Sequence, residues 1–231
     1  MSSPFDLGIT ALQAEPGDHL CGLYADTTQR DQVLIPFLRA GLRNGDKCIC
    51  VVDGLEPLDV SRALRDHDGA GDELQPWDDK QLDIIRSADM YLRSGDFSAP
   101  EVISTWKSAI SEVMYDARYD LVRAIEVWSL RDVVPDTREL LVLESEMNRY
   151  LPLFPQVIIC LYDVSRFGGG IVVDLLRTHP RVLVGTMVME NPYCLSPDEL
   201  LELSDSGGPD AQEAEREEMA AWCFDATTGS T

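Results

Sequence analysis

Short apolar segments alternate along this chain with stretches whose apolar residues recur every three or four positions. The short segments are apolar on both faces, as in Lys47-Cys-Ile-Cys-Val-Val52 and 156–162. The stretches between them have the spacing of amphipathic helices. Strands that are apolar on both faces are typical of parallel sheets covered by helices. The alternation therefore predicts an α/β fold, with a mainly parallel, doubly wound sheet flanked by helices.

The same pattern gives the order of the elements. We predict strands at 19–24, 47–53, 82–85, 119–128, 156–162 and 181–189, and helices at 30–43, 57–67, 98–117, 136–151 and 170–178. Gly45 follows the first helix where a left-handed cap is expected. Ser98 and Glu101 have the spacing of a capping box. Each predicted strand is thus followed by a helix, which supports parallel pairing.

The composition changes after Pro192, and this change sets the predicted domain boundaries. Ser196-Pro197-Asp198-Glu199 has the features of a helix start, and 198–225 contains ten acidic residues and one basic residue. We predict an N-terminal extension at 1–14, one α/β domain at 15–195, and an acidic C-terminal helical segment or tail at 196–231. This last segment is either solvated or an interaction segment that docks on the domain or on a partner.

The charge of the chain argues against several classes of partner. The chain has 19 basic and 41 acidic residues and a net charge of −22, so direct binding to nucleic acid or to an anionic membrane is unfavourable. No apolar run approaches the roughly 20 residues of a membrane span, and the N-terminus lacks the features of a signal peptide. We therefore expect a cytoplasmic protein with reduced cysteines.

The motifs of common enzymes are missing from the sequence. The segment after the first strand, 24–30, lacks a GxxxxGK[ST] loop and carries Asp26, whose charge is wrong for binding phosphate. No GxSxG, HExxH, DxDxDG or CxxC motif occurs, and Gly168-Gly169-Gly170 is interpreted as a flexible helix entry. We expect no catalytic activity and assign no cofactor. Cys48, Cys50 and Cys160 are interpreted as small buried hydrophobic residues.

The first predicted strand contains the most distinctive side chains. His19 and Cys21 are two residues apart and therefore share one face of the strand, and Tyr24 follows at its end. An imidazole and a thiol on one face can ligate a metal ion, activate a nucleophile or line a ligand pocket. The alternative is a partly buried strand start without a function. His67 lies beside a loop and is expected to be solvated.

An ordered set of short segments makes the sequence similar to a known family. The H-x-C-x-x-Y pattern of 19–24 resembles the opening signature of MEDS domains, the methanogen/methylotroph DcmR-type sensory domains. The resemblance extends from about residue 15 to residue 194, through Phe37–Cys48, Arg123–Trp128, Glu144 with Asn148, Cys160–Asp163, Arg177–Pro180 and Asn191–Tyr193. The order of these segments is more specific than any one of them.

The resemblance implies a RecA/KaiC-like core without a phosphate loop. It also implies a sensory role, for which small hydrocarbon derivatives are the proposed ligands. Such domains usually accompany a DNA-binding or histidine-kinase module, but no helix-turn-helix or kinase motif follows here. We therefore expect a signal to pass through a separate protein (a kinase, an anti-sigma factor or a transcription regulator), through a change of homo-oligomer, or through the acidic tail.

The leading hypothesis is a ligand pocket at the carboxyl edge of the sheet. Its predicted ligand-binding residues are His19, Cys21, Tyr24, Glu126, Trp128 and His179. For three of these residues the sequence also allows a purely structural role. In these alternatives, Glu126 forms an ion pair with Arg123 or Arg131, Trp128 is part of the core, and His179 simply ends a helix.

Two other hypotheses remain open. One is metal or redox sensing by His19 and Cys21, which requires Cys194 or His179 to lie close to them. The other is a protein-interaction regulator of a kinase or sigma-factor switch that binds no small ligand.

Overall fold

A computed structural model describes residues 5–9, 13–66, 77–116, 118–130, 132, 133, 135–167, 169–185 and 187–206. The strands are β1 Phe5–Asp6, β2 Gln13–Ala14, β3 His19–Tyr24, β4 Lys47–Val52, β5 Leu82–Arg86, β6 Val122–Trp128, β7 Gln156–Asp163, β8 Arg181–Val184 and β9 Met187–Glu190. The helices are α1 Thr27–Asn44, α2 Pro57–Asp66, α3 Ser87–Tyr91, α4 Ala99–Tyr115, α5 Thr137–Tyr150, α6 Gly169–Thr178 and α7 Pro197–Ser206, with a 3₁₀ turn at Leu151–Leu153.

Seven of the described strands form one sheet in the order β5-β4-β6-β7-β3-β8-β9. All neighbouring pairs are parallel except β8 and β9, which are antiparallel. The predicted α/β fold with a mainly parallel sheet is confirmed. The prediction of one last strand over 181–189 is wrong, because the chain turns at Gly185 with φ +59° and returns as β9.

Helices cover both faces of the sheet, and strand side chains alternate between the two faces. We call the face covered by α1 and α2 the α1 face, and the face covered by α3, α4, α5 and α6 the α5 face. Along β6, Ile125 and Val127 pack on the α1 face, whereas Ala124 and Trp128 pack on the α5 face. The central strands β4, β6 and β7 are therefore buried on both sides, as the apolar segments of the sequence predict.

Two of the predicted cap signals have different outcomes. Gly45 adopts φ +79° and donates its N–H to the last carbonyls of α1, as predicted. Ser98 makes no side-chain cap bond, and the N–H of Ala99 instead donates to Glu139 of α5 at 3.0 Å. Glu101 accepts a hydrogen bond from Ser94. The predicted capping box is wrong because a carboxylate from a neighbouring helix caps α4.

Both ends of the described chain pack against the domain. Leu7 and Ile9, beside the small β1–β2 ribbon, are buried in the core of the α1 face. At the other end α7 begins with reciprocal hydrogen bonds between Ser196 and Glu199, and Asp198 lies 2.6 Å from Arg149. The boundaries near residues 15 and 195 stay predictions.

Several sequence predictions fall on residues that the structure does not describe. These are the loop position of His67, the contribution of Gly168 to the entry of α6, and most of the acidic C-terminal segment. None of the described helices is long and apolar enough to cross a membrane.

Candidate functional site

Five of the six predicted ligand-binding residues lie on the α5 face of the sheet or against it. His19 and Cys21 share this face of β3, as their spacing predicts, and Glu126 and Trp128 share it on β6. The fifth, His179, follows α6 directly. All five are nearly inaccessible to solvent. The sequence thus identified residues from three separate segments that the fold brings together.

Tyr24 does not join this group. Side chains alternate between the two faces of a strand, and Tyr24 lies an odd number of positions after His19. Its side chain therefore packs in the core of the α1 face. Its hydroxyl lies 3.5 Å from the backbone oxygen of Trp128, to which it donates. The H-x-C-x-x-Y pattern therefore divides its side chains between the two faces of the sheet.

The group lies inside the domain, between the sheet and α5. The strand register places Cys21, Cys160 and Glu126 side by side on β3, β7 and β6. His19 opens β3 and His179 precedes β8, so both lie at amino ends of strands. The buried group therefore extends from the amino end of β3 toward the carboxyl end of β6, beneath α5.

Glu144 of α5 stands at the centre of one half of the group. Its Oε2 lies 3.3 Å from Nε2 of His19 and 3.5 Å from Nε2 of His179. The same oxygen is 3.8 Å from Sγ of Cys160, and that sulfur is 3.5 Å from Nε2 of His19. Its other oxygen, Oε1, accepts a hydrogen bond of 2.6 Å from the hydroxyl of Tyr162.

Hydrogen bonds on the far side of each imidazole fix the two rings. Nδ1 of His19 lies 2.9 Å from Oδ1 of Asn148, whose amide nitrogen donates to the backbone oxygen of Thr178 at 2.6 Å. Nδ1 of His179 lies 2.7 Å from the backbone oxygen of Leu175. Because a carbonyl only accepts, Nδ1 of His179 carries the proton. Both rings therefore direct Nε2 toward Glu144.

Glu126 forms the second half of the group and accepts hydrogen bonds from aromatic side chains. Oε1 accepts from Tyr91 and, at 3.1 Å, from Trp106, and Oε2 accepts from Trp128 at 3.3 Å. Tyr91 stacks on Trp128 with ring centroids 5.0 Å apart, and the half-buried Phe97 meets both rings edge-on. This half combines a carboxylate with an aromatic wall.

Cys160 connects the two halves. Its Sγ lies 3.5 Å from Oε2 of Glu126, to which the thiol can donate. Cys160 is fully buried in the apolar core cluster, as predicted, and its sulfur also contacts two carboxylates and an imidazole. Cys48 and Cys50 are buried on the α1 face among apolar side chains, as predicted.

Burial and the neighbouring groups shift the pKa values of Glu126 and Glu144 in opposite directions. Burial, and then the charge of Glu144, raise the pKa of Glu126 to about 7. Burial also disfavours the charged form of Glu144, but its interactions with His19, His179 and Tyr162 together outweigh burial and lower the pKa. Burial lowers the pKa of His179 to about 3, and burial raises the pKa of the Cys160 thiol. Perturbed pKa values of this kind cluster at functional sites.

The alternatives for Glu126, Trp128 and His179 have separate outcomes. The ion pair of Glu126 with Arg123 is wrong, because Arg123 lies on the α1 face and pairs with Asp46 at 2.6 Å. Arg131 is outside the described residues. Trp128 belongs to the core and also donates to Glu126. His179 ends α6 and also contacts Glu144, so for these two residues the structural and polar roles coexist.

Glu144 is not among the six predicted ligand-binding residues, although the sequence contains a signal for it. It lies on the apolar face of α5 between buried neighbours such as Leu143 and Met147. An acidic residue on the buried stripe of an amphipathic helix requires a polar partner in the core. That reasoning identifies Glu144 but not its partners, which come from other elements.

An open cleft lies apart from the buried group. It has a volume of about 590 Å³ and separates α4 from the amino ends of β4 and β5. Lys47 and Asp83 line it and form an ion pair of 2.8 Å. None of the six predicted residues lines this cleft.

Comparisons with known proteins place the chain in a family. The family model described as "MEthanogen/methylotroph, DcmR Sensory domain" (MEDS) matches residues 18–180. The transcriptional repressor DcmR of Methylorubrum extorquens (strain DSM 6343 / CIP 106787 / DM4) is 26% identical over 167 residues, which cover 70% of this chain and 58% of the relative. The chain thus spans little more than half of that relative's length.

A solved structure was also found. The flagellar accessory protein FlaH from Methanocaldococcus jannaschii is 10% identical, with a TM-score of 0.44, over 81% of this chain and 84% of FlaH. The family description and the regulatory relative support a sensory or regulatory role. Because the family model covers well over half of the 231 residues, this chain belongs to the MEDS family of sensory domains.

Proposed function

We propose that this chain is a non-catalytic cytoplasmic sensory domain that binds a small, partly apolar ligand next to Glu126 and signals through a separate partner protein. The observation that carries the proposal is the carboxylate of Glu126 held among three aromatic donors on the α5 face. A site that recognises a small molecule combines apolar and aromatic walls with a few directed polar groups. Glu126 and its aromatic neighbours have this composition.

Tyr91 is the residue that a ligand would displace. It ends α3, a helix of only five residues, and the positions that follow it, 93–96, are exposed. A short element next to an exposed segment is among the easiest parts of a fold to move. A ligand with a hydroxyl or amine can replace the tyrosine hydroxyl at Oε1 of Glu126, while its apolar part stacks on Trp128.

The edge hairpin β8–β9 is the proposed output surface. β9 is an edge strand, and edge strands offer unpaired backbone groups to a partner. Val184, Met187 and Met189 expose roughly half of their surface there. The side-chain amide of Asn191, just after β9, donates to the backbone oxygens of Leu176 and His179 at 2.5 and 2.7 Å. The hairpin is thereby connected to the buried group.

The partner in this proposal is a kinase, an anti-sigma factor or a transcription regulator, and a second copy of the chain is a further candidate. An acidic protein with a Met-bearing edge suits a partner that combines basic and apolar contacts. The regulatory relative is a repressor by its name, which favours transcription control as the output.

Native mass spectrometry of protein purified from its own host tests the proposal, together with tryptophan fluorescence during titration with short alcohols, amines and their halogenated analogues. Trp106 and Trp128 both touch Glu126, so a ligand there changes their emission. We expect Trp128→Phe to remove most of the response and the matched control Trp77→Phe, on the other face, to retain it. A protein that carries no small molecule, responds to none and retains a second polypeptide would be a ligand-free interaction regulator.

A further inference from the structure

We infer that His19, Glu144, Cys160 and His179 form a binding site for one divalent transition-metal ion, for which Zn²⁺ is the best fit. Each residue contributes one ligand atom, and the four atoms all lie within 4.8 Å of one another. The residues come from β3, α5, β7 and the segment after α6. This inference does not depend on the ligand proposed for Glu126.

The distances between the ligand atoms match a tetrahedral ion. With bonds of about 2.0–2.1 Å to nitrogen and oxygen and about 2.3 Å to sulfur, two ligand atoms lie about 3.3–3.6 Å apart. Around Oε2 of Glu144 the observed separations are 3.3 Å to His19, 3.5 Å to His179 and 3.8 Å to Cys160. The sulfur and Nε2 of His19 are 3.5 Å apart. Three of these four separations lie within the tetrahedral range, and the distance from Oε2 to the sulfur exceeds it by about 0.2 Å.

A buried nitrogen without a hydrogen-bond partner supports the metal site independently of the distances. Nε2 of His179 is fully buried and has no hydrogen-bond partner among the described residues. Because Nδ1 of this ring bears the proton that it donates to Leu175, Nε2 of the neutral ring presents a lone pair. That lone pair faces Oε2 of Glu144, which is also an acceptor. Two buried acceptors aimed at each other are unfavourable unless a cation lies between them.

The charges of the set balance those of the ion. Binding requires a Cys160 thiolate and a lone pair on Nε2 of His19, so the thiol proton and the proton by which that Nε2 bonds Glu144 both leave to solvent. The thiolate and the Glu144 carboxylate contribute two negative charges, which neutralise a divalent ion. A neutral buried site has a much smaller desolvation cost than a buried charge. Two imidazoles, a carboxylate and a thiolate are ligands that Zn²⁺ accepts.

Hydrogen bonds from surrounding residues hold the ligands in place. Asn148 accepts from Nδ1 of His19, the backbone of Leu175 accepts from Nδ1 of His179, and Tyr162 donates to the free oxygen of Glu144. Outer hydrogen bonds of this type are typical of metal-bound histidines and carboxylates. Asn148 is a positioning residue in this arrangement, because it touches a ligand and not the ion.

The site is closed, which indicates a structural rather than a catalytic ion. All four ligands come from the protein, and their side chains are at most about 1% exposed, as is typical of structural zinc sites. The ion would fasten α5 and the end of α6 to the central strands β3 and β7. Cys21, which shares a face of β3 with His19, is not part of the four-residue set.

Metal content and Co²⁺ spectroscopy of the full chain test the inference. The protein is produced in medium supplemented with Zn²⁺ or Co²⁺ under reducing conditions, because a buried site loads most readily during folding. We expect one ion per chain and, with Co²⁺, the intense ligand-field bands of a tetrahedral site with a thiolate-to-metal charge-transfer band. We expect Cys160→Ser to abolish the charge-transfer band and Cys21→Ser to retain it. Asn148→Ala should weaken metal affinity by about 10–100-fold.

Two results would overturn the inference. One is a folded wild-type protein that contains no stoichiometric metal after both preparations. The other is a Co²⁺ spectrum that lacks the thiolate band or keeps it in Cys160→Ser. If that variant does not fold, the wild-type spectrum together with Asn148→Ala still decides, because octahedral Co²⁺ bound to exposed carboxylates has only weak bands. Loss of the band in Cys21→Ser and not in Cys160→Ser would assign the ion to the other cysteine.

Discussion

Removal of one hydroxyl from Tyr162 tests whether the buried carboxylate of Glu144 depends on its hydrogen bonds. Tyr162→Phe keeps the ring, and therefore its edge contacts with Phe167 and His179 at 5.5 and 5.8 Å. It removes the 2.6 Å hydrogen bond to Oε1 of Glu144. A buried hydrogen bond to a charged group stabilises a protein by about 1.5–3 kcal/mol. We expect the free energy of unfolding to fall by about 2 kcal/mol.

Urea unfolding, monitored by circular dichroism, measures this change. The slope of free energy against urea concentration should stay constant, because the surface exposed on unfolding does not change. A loss of about 2 kcal/mol corresponds to a Tm decrease of roughly 4–8 °C in a domain of this size. The metal content of both proteins is determined in parallel, so that an effect on metal binding is seen separately.

Tyr115→Phe is the matched control, because Tyr115 is 93% exposed at the end of α4. A surface change of this kind should alter stability by less than about 0.5 kcal/mol. If Tyr162→Phe costs no more than this control, Tyr162 does not stabilise the Glu144 carboxylate and the electrostatic description of the cluster is wrong.

Two further predictions concern the packing of the α1 face. In Gly41→Ala the new Cβ would lie 2.6 Å from Sγ of Cys48 and 2.7 Å from Cδ of Arg123. Although alanine favours helices, we expect the free energy of unfolding in urea to fall by about 1–3 kcal/mol, because this contact is too close. An unchanged free energy would show that α1 can shift away from the sheet. Asp46→Asn removes the anionic partner of the fully buried Arg123 guanidinium, which keeps its hydrogen bond to the backbone oxygen of Asp6, and should cost about 3–5 kcal/mol. Asp59→Asn, in an exposed ion pair, is its control and should cost less than about 1 kcal/mol; equal losses in the two variants would contradict the reasoning.

The fold followed closely from the pattern of the sequence. Segments that are apolar on both faces became the six-residue strands β3 and β4, and the i, i+3, i+4 stripe after β3 became α1. These features depend on local periodicity, which the sequence contains directly. The division of 181–189 into β8 and β9 was missed, because a single glycine with a positive φ reversed the chain inside an otherwise apolar segment.

The candidate site was only half predictable. His19 and Cys21 were found because an imidazole and a thiol two positions apart share one face of a strand, and Glu126 was found because it lies in a segment that resembles the family. The central position of Glu144 and the polar surroundings of Cys160 were not. Cys160 and Tyr162 on β7 lie 16 and 18 positions after Glu144 on α5. These residues meet only when the helix packs on the sheet.

By itself, the sequence determined the class of fold, the positions of the elements and the membership of one family, because hydrophobic period and local motifs act over a few residues. The strand order was decided only by tertiary structure, since it places β3 between β7 and β8, far from its neighbours in sequence. That order brings His19, Cys160 and His179 under α5. The electrostatics of the site, and the unsatisfied nitrogen that points to a metal ion, exist only where these elements meet in a core without solvent.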